Sequence, residues 1–192
     1  MPSPLDPRPA PLRVVAIANR HPRLRLDRRA LTRALEILDT DFRTLPGDRL
    51  PHRPSENPKL KTQNQKLPSA CPPGELSLVF LTDSALTQLH ADFLADPTAT
   101  DVITFEGDSA MGVAGEICVS VDTAAAYAKQ TKRDFASELL LYVVHGWLHL
   151  AGYDDLQPAK KRVMRRAESR AFALLEKSKL PPIFSLKPSR PR

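Results

Sequence analysis

The chain has 192 residues, of which 42% are hydrophobic, and its formal net charge is +6. This apolar content suffices for one substantial core and argues against a layout with two domains. No apolar run is long enough to cross a bilayer, and the N-terminus lacks the apolar core of a secretory signal, so we expect a soluble, cytoplasmic protein without membrane contact. The two cysteines lack the spacing of a disulfide framework and are expected to be free thiols.

Prolines are unevenly distributed along the chain. The chain has nineteen prolines but only seven glycines, and the prolines cluster in residues 2–11, 46–73 and 181–191. Because proline lacks an amide donor, regular structure is hard to sustain in these clusters. We therefore predict a flexible Pro-rich tail over 1–11, a single domain over 12–177 with a Pro-rich insertion at about 45–74, and a basic Pro-rich tail over 178–192.

The N-terminal half predicts two strands and two helices. Residues 12–18 form the first predicted strand, and Asp27 can cap a helix whose apolar residues recur at helical spacing. These apolar residues are Leu31, Leu35, Leu38 and Phe42. Beyond the insertion, residues 75–81 alternate as expected for a strand, and Asp83 or Ser84 can cap the helix that follows.

The C-terminal half continues the same alternation of strands and helices. Residues 101–105 and 113–121 are predicted strands, and the short connection between them favours an antiparallel hairpin. Asp122 can cap a helix that runs to about residue 132, and Asp134 opens a long apolar helix. Together these elements predict an α+β fold in which a small mixed sheet packs against helices.

The long apolar helix leads into the most informative segment of the sequence, near its C-terminal third. His145 and His149 are four residues apart, so a helix projects both imidazoles from one face, where they can share an ion. Gly152 can adopt a left-handed conformation that turns the chain back and brings Asp154 or Asp155 towards the histidines. Two histidines and one carboxylate leave a fourth position open, which distinguishes a hydrolytic zinc site from a closed structural one.

This segment has two other interpretations. The histidines could be core residues, since apolar side chains flank them, but the Gly-Tyr-Asp-Asp exit favours a metal site because it supplies a turn and a hard ligand. In His-Glu-x-x-His proteases the glutamate after the first histidine is the general base. Gly146 occupies that position here and has no side chain that could transfer a proton. The sequence therefore disfavours a metalloprotease.

Three segments together resemble one protein family. The pattern His-Gly-x-Leu-His-Leu-x-Gly-Tyr-Asp at 145–154 resembles the metal motif of the YbeY family, bacterial endoribonucleases that mature ribosomal RNA. Residues 100–105 resemble the family's Thr-Asp-Val-Leu-Ser-Phe strand, and residues 114–120 resemble its Gly-Asp-Ile-x-Ile-Ser strand. The three segments occur in family order, and the resemblance covers roughly residues 76–168.

The resemblance implies a single-strand-specific, metal-dependent endoribonuclease in rRNA maturation, at the 3′ end of 16S rRNA, and in ribosome quality control. Its implied partners are ribosomal RNA or its precursor and the small ribosomal subunit. It also implies one divalent ion, with zinc favoured, held by His145, His149 and Asp155. The family's third ligand is usually a histidine, and a carboxylate in its place lowers the Lewis acidity of the ion and makes harder metals more competitive.

A second departure from the family's pattern affects a residue that would bind the phosphodiester substrate. The family's Leu-Asn-x-x-Tyr-Arg segment corresponds to residues 89–94, and its arginine position holds Leu94, which can neither bind a phosphate bidentately nor neutralise charge. Arg133 or Lys132 could supply the missing charge, although both also fit a solvated surface. No catalytic residue is therefore assigned, and the alternative function is a ribosome-associated RNA-binding factor with a mainly structural metal and little hydrolysis.

The basic residues concentrate in the C-terminal region. Residues 157–192 contain eleven Lys or Arg and two acidic residues, which gives this region a formal net charge of +9. Six of the basic residues fall on one predicted helix: Lys160, Lys161, Arg162, Arg165, Arg166 and Arg170. Such a helix could turn a cationic face to RNA phosphates. The other interpretation is a soluble amphipathic helix followed by a disordered basic tail.

Three further side chains are secondary candidates. Asp154 could orient a histidine ligand, and the Tyr153 hydroxyl could donate to a phosphate. Glu116 could accept a proton if it points into the cleft. Each also has a structural interpretation: the Tyr153 ring could pack beneath the turn, and Glu116 could be a solvent-facing strand residue.

Overall fold

The computed structural model describes residues 13–48, 70–94, 98 and 100–188. A four-stranded mixed sheet lies at its centre. In spatial order its strands are β1 (Val15–Asn19), β3 (Glu75–Leu81), β5 (Val113–Ser120) and β4 (Val102–Glu106). β1, β3 and β5 are parallel, whereas β4 pairs antiparallel with β5 as the predicted hairpin. A separate antiparallel pair joins β2 (Leu24–Leu26) to β6 (Phe184–Leu186).

Within the described ranges, five helices cover this sheet unequally. They are α1 (Arg28–Asp41), α2 (Asp83–Leu94), α3 (Val121–Thr131), α4 (Phe135–Leu150) and α5 (Pro158–Lys177). The main core lies between α1, α4, α5 and one face of the sheet, which contributes Leu76, Leu78 and Ile117. A smaller cluster under α2 buries Leu86 and Cys118 on the opposite face. The predicted α+β class is confirmed, and no helix in the described ranges combines the length and apolarity needed to span a bilayer.

Local sequence signals place most elements correctly. Asp27 and Asp134 cap α1 and α4 as predicted, each accepting a backbone N–H three residues later. Both cysteines are thiols with buried side chains, as expected. The predicted cap of α3 is wrong: Ser120 accepts the N–H of Thr123, because the helix begins at Val121, two residues earlier than a cap at Asp122 implies.

Strand β6 lies within residues 178–192, which the sequence predicts as a tail without regular structure. The five residues 183–187 contain no proline, which allows a short strand, and β2 supplies a partner for its backbone. Ile183 and Phe184 are buried, and the N–H of Asp27 donates to the carbonyl of Ile183. The predicted tail over 1–11, residues 49–69 of the predicted insertion and residues 189–192 lie outside the described residues.

Helix α4 lies directly against the sheet at Gly146. A Cβ atom at this position would lie 2.5 Å from Ile117 Cγ2 and 3.2 Å from Thr104 Cγ2. Ile117 is fully buried on a central strand and β-branched, so it cannot rotate out of the way. The sequence excludes a general base at residue 146 because glycine has no side chain, and the packing shows that no side chain would fit there.

We expect Gly146→Ala to destabilise the protein. Alanine is favoured over glycine in a helix by about 1 kcal/mol, but overpacking a filled core costs about 1–3 kcal/mol. The free energy of unfolding in urea should therefore fall by up to about 2 kcal/mol. Gly47→Ala is the matched control, because a Cβ there meets no atom within 4 Å. An increase in stability at residue 146 would show that the close approach is not maintained in solution.

The N-termini of α2 and α3 are joined by one polar cluster around Asp122. Its carboxylate accepts hydrogen bonds from the N–H of Asp83 at 3.1 Å and from His21 Nε2 at 3.1 Å. Burial acts to raise the pKa of Asp122, but these hydrogen bonds and the charges of His21 and Arg23 outweigh burial, so the pKa lies below its usual value. Asp122 therefore ties two helix starts together in its ionised form.

We expect Asp122→Ala to lower the free energy of unfolding at pH 7 by about 1 kcal/mol, a modest amount because the carboxylate is 37% exposed. The folded-state pKa is lower than the unfolded one, so this contribution is complete above the unfolded pKa of about 3.9 and is lost as pH falls through the folded value. Urea unfolding from pH 7 to pH 2.5 checks this. A stability difference that stays constant or grows in acid would contradict it.

Candidate metal centre

Helix α4 ends in a glycine turn that redirects the chain. Gly152 has φ of 90°, in the left-handed region. Its N–H donates to the carbonyl of His149 at 2.9 Å, and the N–H of Tyr153 donates to the carbonyl of Leu148 at 3.0 Å. This pair of bonds is the Schellman motif of helix termination. The predicted left-handed exit at Gly152 is confirmed.

The turn brings three of the predicted side chains together. His145 Nε2 and His149 Nε2 are 2.9 Å apart, and the Asp155 carboxylate lies 3.9 Å from the first and 3.8 Å from the second. Ligand atoms around a tetrahedral zinc ion lie about 3.3 Å apart, so small side-chain rotations would accommodate an ion. No other trio of His, Cys, Asp or Glu with such geometry occurs in the part of the chain that the structure describes.

The hydrogen bonds made by the two Nδ1 atoms determine whether each Nε2 atom carries a hydrogen or a lone pair. His149 Nδ1 lies 3.0 Å from the carbonyl oxygen of Tyr153, and His145 Nδ1 lies 2.7 Å from a carboxylate oxygen of Glu168. A carbonyl and a carboxylate can only accept, so both Nδ1 atoms carry the hydrogen. In the neutral rings both Nε2 lone pairs then face the same point. Converging lone pairs beside a carboxylate favour a cation between them.

The two imidazoles differ in their affinity for a proton. Burial lowers the pKa of His145, but the hydrogen bond and charge of Glu168 and the charge of Asp155 raise it more, so its pKa lies above the usual value. Burial and the neighbouring His145 lower the pKa of His149 more than Asp155 raises it, so its pKa lies below the usual value. The two rings therefore avoid being charged together. Both side chains are partly exposed, so solvent reaches the site.

Glu168 is a site residue that sequence reasoning missed. It lies on α5, 23 residues from its partner His145, and no local pattern links the two. One feature of the sequence could have indicated a special role for Glu168: it is the sole acidic residue between 158 and 170, where six residues are basic. A carboxylate that holds the distal nitrogen of a metal-binding histidine fixes the ring orientation and raises its basicity.

The two secondary candidates in the turn have structural roles. Asp154 accepts the N–H of Leu156 at 2.8 Å and the ammonium of Lys160 at 2.6 Å, so the hypothesis that it orients a histidine is wrong. Tyr153 is 3% exposed, and its hydroxyl donates to Asp48 at 2.7 Å rather than facing a phosphate. Burial and this hydrogen bond raise the pKa of Tyr153, which keeps the hydroxyl a donor.

Glu116 does not point into the metal cleft. Its neighbours on β5 pack against α4, and Glu116 itself faces the α2 side, where it accepts from the Cys118 thiol at 3.3 Å. There it lines a cavity of about 500 Å³ with Phe93 and Phe105. Because side chains alternate along a strand, one residue of register decides between the two faces. The hypothesis that Glu116 is a proton acceptor in the cleft is wrong.

The two cations proposed as substitutes for the missing arginine lie elsewhere. Arg133 approaches Glu138 at 3.6 Å, and Glu138 precedes His145 by seven residues, or about 10 Å along the helix. Lys132 is the C-cap of α3, with a left-handed backbone. Both residues lie just before the start of α4, whereas the two histidines lie in its last two turns, so neither cation is placed at the metal centre.

Helix α5 carries exposed cations next to the site. Lys160 is engaged by Asp154 and Arg170 by Asp48, whereas Lys161, Arg162 and Arg165 are exposed. Glu168 marks the side of α5 that faces the histidines. At about 100° per residue, Lys161 lies about 20° and Arg165 about 60° from Glu168 around the helix axis, while Arg162 lies about 120° away. Lys161 and Arg165 thus flank the metal-facing side.

Comparison with known proteins agrees with these features. The sequence model of the family described as Endoribonuclease YbeY matches residues 55–176. A protein named Endoribonuclease YbeY from Protochlamydia amoebophila is 39% identical over 110 residues, which cover 55% of this chain and 73% of the relative. Proteins of the same name from Syntrophotalea carbinolica and Phocaeicola vulgatus are 37% and 31% identical, over 55% and 53% of this chain and 75% and 74% of theirs.

The family match covers more than half of the chain. It includes α4, the glycine turn and α5 to within one residue of its end, and therefore every side chain of the trio and Glu168. The chain belongs to the YbeY family.

Proposed function

We propose that this protein is a single-strand-specific, metal-dependent endoribonuclease that matures ribosomal RNA, acting near the 3′ end of 16S rRNA and in ribosome quality control. Membership of a family whose curated relatives are named endoribonucleases makes it a nuclease that acts on RNA. The proposed partners are precursor rRNA and the small ribosomal subunit, and this substrate would place the protein in the cytoplasm. The observation that carries the proposal is the convergence of His145, His149 and Asp155.

The donor set fits one divalent ion, with zinc favoured. Two imidazole nitrogens and one carboxylate oxygen are ligands that zinc accepts, and their partial exposure leaves room for a fourth, solvent-derived ligand. Such an ion would polarise a phosphoryl oxygen and lower the pKa of bound water. Glu168 would hold His145 and the Tyr153 carbonyl would hold His149, so that neither ring needs to reorient during the reaction.

The phosphodiester contacts are proposed to come from α5. Leu94, the last residue of α2, stands at the family's arginine position and provides no cation. Lys161 and Arg165 are exposed on the side of α5 that Glu168 marks as facing the histidines. Cations beside the ion would attract the RNA backbone, and Arg165 could bind a phosphate through two N–H groups.

A second candidate function is an RNA-binding factor of the ribosome with a mainly structural metal. Two features of this chain favour it: Leu94 at the arginine position, and a carboxylate ligand that makes metal-bound water less acidic. Both functions require RNA and metal binding. They differ in turnover, because only the endoribonuclease cleaves RNA above background.

We expect the purified protein to cleave a labelled single-stranded fragment from the 3′ end of precursor 16S rRNA, and His149→Ala to abolish cleavage without changing the fold. Removing one of three ligands should cost the ion and the water that it activates. Gel analysis of the products and circular dichroism provide the two readouts.

Two controls accompany this experiment. Metal-stripped protein should lose cleavage and regain it with added zinc. His90→Ala should retain cleavage, because His90 lies on α2 and its Nδ1 contacts the carbonyl of Thr98 rather than any residue of the trio. A parent protein that holds stoichiometric metal but does not cleave RNA would support the binding factor instead.

We expect Lys161→Glu combined with Arg165→Glu to weaken binding of single-stranded RNA about tenfold or more and to flatten its salt dependence, since two phosphate contacts are lost. Fluorescence anisotropy at several salt concentrations measures both effects. The control is Arg162→Glu, compared with Arg165→Glu alone, because residue 162 lies about 120° from Glu168 around the helix axis and residue 165 lies about 60° from it. Equal effects at residues 162 and 165 would contradict a cationic face directed at the metal centre.

A further inference from the structure

A carboxylate outside the family match contacts the metal turn. Asp48 ends a short 3-10 turn, Pro46–Asp48, and its side chain is only 2% exposed. One of its oxygens, Oδ2, accepts three hydrogen bonds: from Tyr153 Oη at 2.7 Å, from Arg170 Nη2 at 2.5 Å and from the N–H of Leu45 at 2.9 Å. The family match begins at residue 55, whereas both side-chain partners lie inside it.

Tyr153 connects this carboxylate to a metal ligand through one residue. Its hydroxyl is held by Asp48, and its carbonyl oxygen accepts from His149 Nδ1 at 3.0 Å. Its backbone N–H completes the Schellman motif. Tyr153 also precedes the ligand Asp155 by two residues, so a rotation of its peptide units would move both the carbonyl that orients His149 and the carboxylate.

The surroundings keep Tyr153 in a fixed orientation. Its ring packs edge-on against Phe42 at 6.2 Å, and Phe42 packs edge-on against Trp147 of α4 at 5.4 Å. The Arg170 guanidinium lies 5.3 Å from the Phe42 ring centre. Packing limits ring translation, but only the Asp48 contact gives the hydroxyl a directional bond to a carboxylate. Losing that contact would leave a buried hydroxyl that must move to find another acceptor.

We propose that Asp48 is a positioning residue of the metal centre: it anchors the Tyr153 hydroxyl and thereby fixes the carbonyl that orients His149 and the turn that carries Asp155. This inference rests on the metal centre proposed above. The competing role is purely structural, in which Asp48 only fastens residues 45–48 to α5 through Arg170. That role predicts a loss of stability with no change at the ion.

The test is cobalt binding by the full chain. Co²⁺ substitutes for zinc, and its visible spectrum reports the geometry of its ligands. We expect Asp48→Ala and Tyr153→Phe each to weaken Co²⁺ affinity about tenfold, at the lower end of what removal of an outer partner costs, and to change the visible bands. Asp48→Asn retains an oxygen acceptor for Tyr153 and Leu45 and should restore most of the affinity and the parent spectrum.

Two comparisons separate positioning from general destabilisation. Asp122→Ala weakens the fold at the polar cluster of α2 and α3, away from the trio, and should leave Co²⁺ affinity and spectrum unchanged. Tyr153→Phe keeps the ring packing against Phe42, so this variant tests the same hydrogen bond if Asp48→Ala does not fold.

The outcomes are distinguishable. Parent-like affinity and spectrum in Asp48→Ala, or in Tyr153→Phe, would overturn the role of Asp48 and leave the metal centre in place. A parent protein that binds no Co²⁺ would overturn the metal centre itself, and the role of Asp48 with it.

Discussion

The direct contact between α4 and the sheet at Gly146 is the constraint on which the site depends. Without a side chain at this position, the helix rests on Ile117 and Thr104 of the two neighbouring strands. Gly146 and Leu150 therefore face the sheet, with Leu150 close to Gly115. Helical periodicity then directs His145 and His149 to the side, towards α5. The same contact leaves no space for the glutamate that a metalloprotease of the His-Glu-x-x-His type requires.

Groups from distant parts of the chain hold the two histidines in place. Glu168 on α5 holds one ring, the glycine turn holds the other, and Asp48 ties that turn to a segment more than a hundred residues earlier. In the proposed function, such partners would fix the ring orientation before an ion binds, which would lower the cost of assembling the site. In the proposed function, the carboxylate of Asp155 is what separates this centre chemically from a site with three histidines, because its charge reduces the acidity of bound water.

Helix α5 combines three functions on one amphipathic surface. Its apolar side enters the main core through Val163, Met164 and Ala167. One border of that side presents Glu168 to the metal centre, and the opposite border presents Arg170 to Asp48. The remaining cations are exposed. Interpreting the basic residues of this helix as one uniform face would therefore be wrong, since Lys160 and Arg170 are engaged in ion pairs within the fold.

The amino-acid sequence was sufficient to predict the features that depend on neighbouring residues: the fold class, the caps of α1 and α4, the spacing of His145 and His149, and the left-handed turn at Gly152. These follow from periodicity and turn chemistry, which act over a few residues. The family resemblance already pointed to Asp155 as the third ligand. Only the tertiary structure brought in Glu168 and Asp48, turned Glu116 to the opposite face and paired β6 with β2. Those outcomes depend on strand register and helix packing between residues far apart in the chain, which no local pattern encodes.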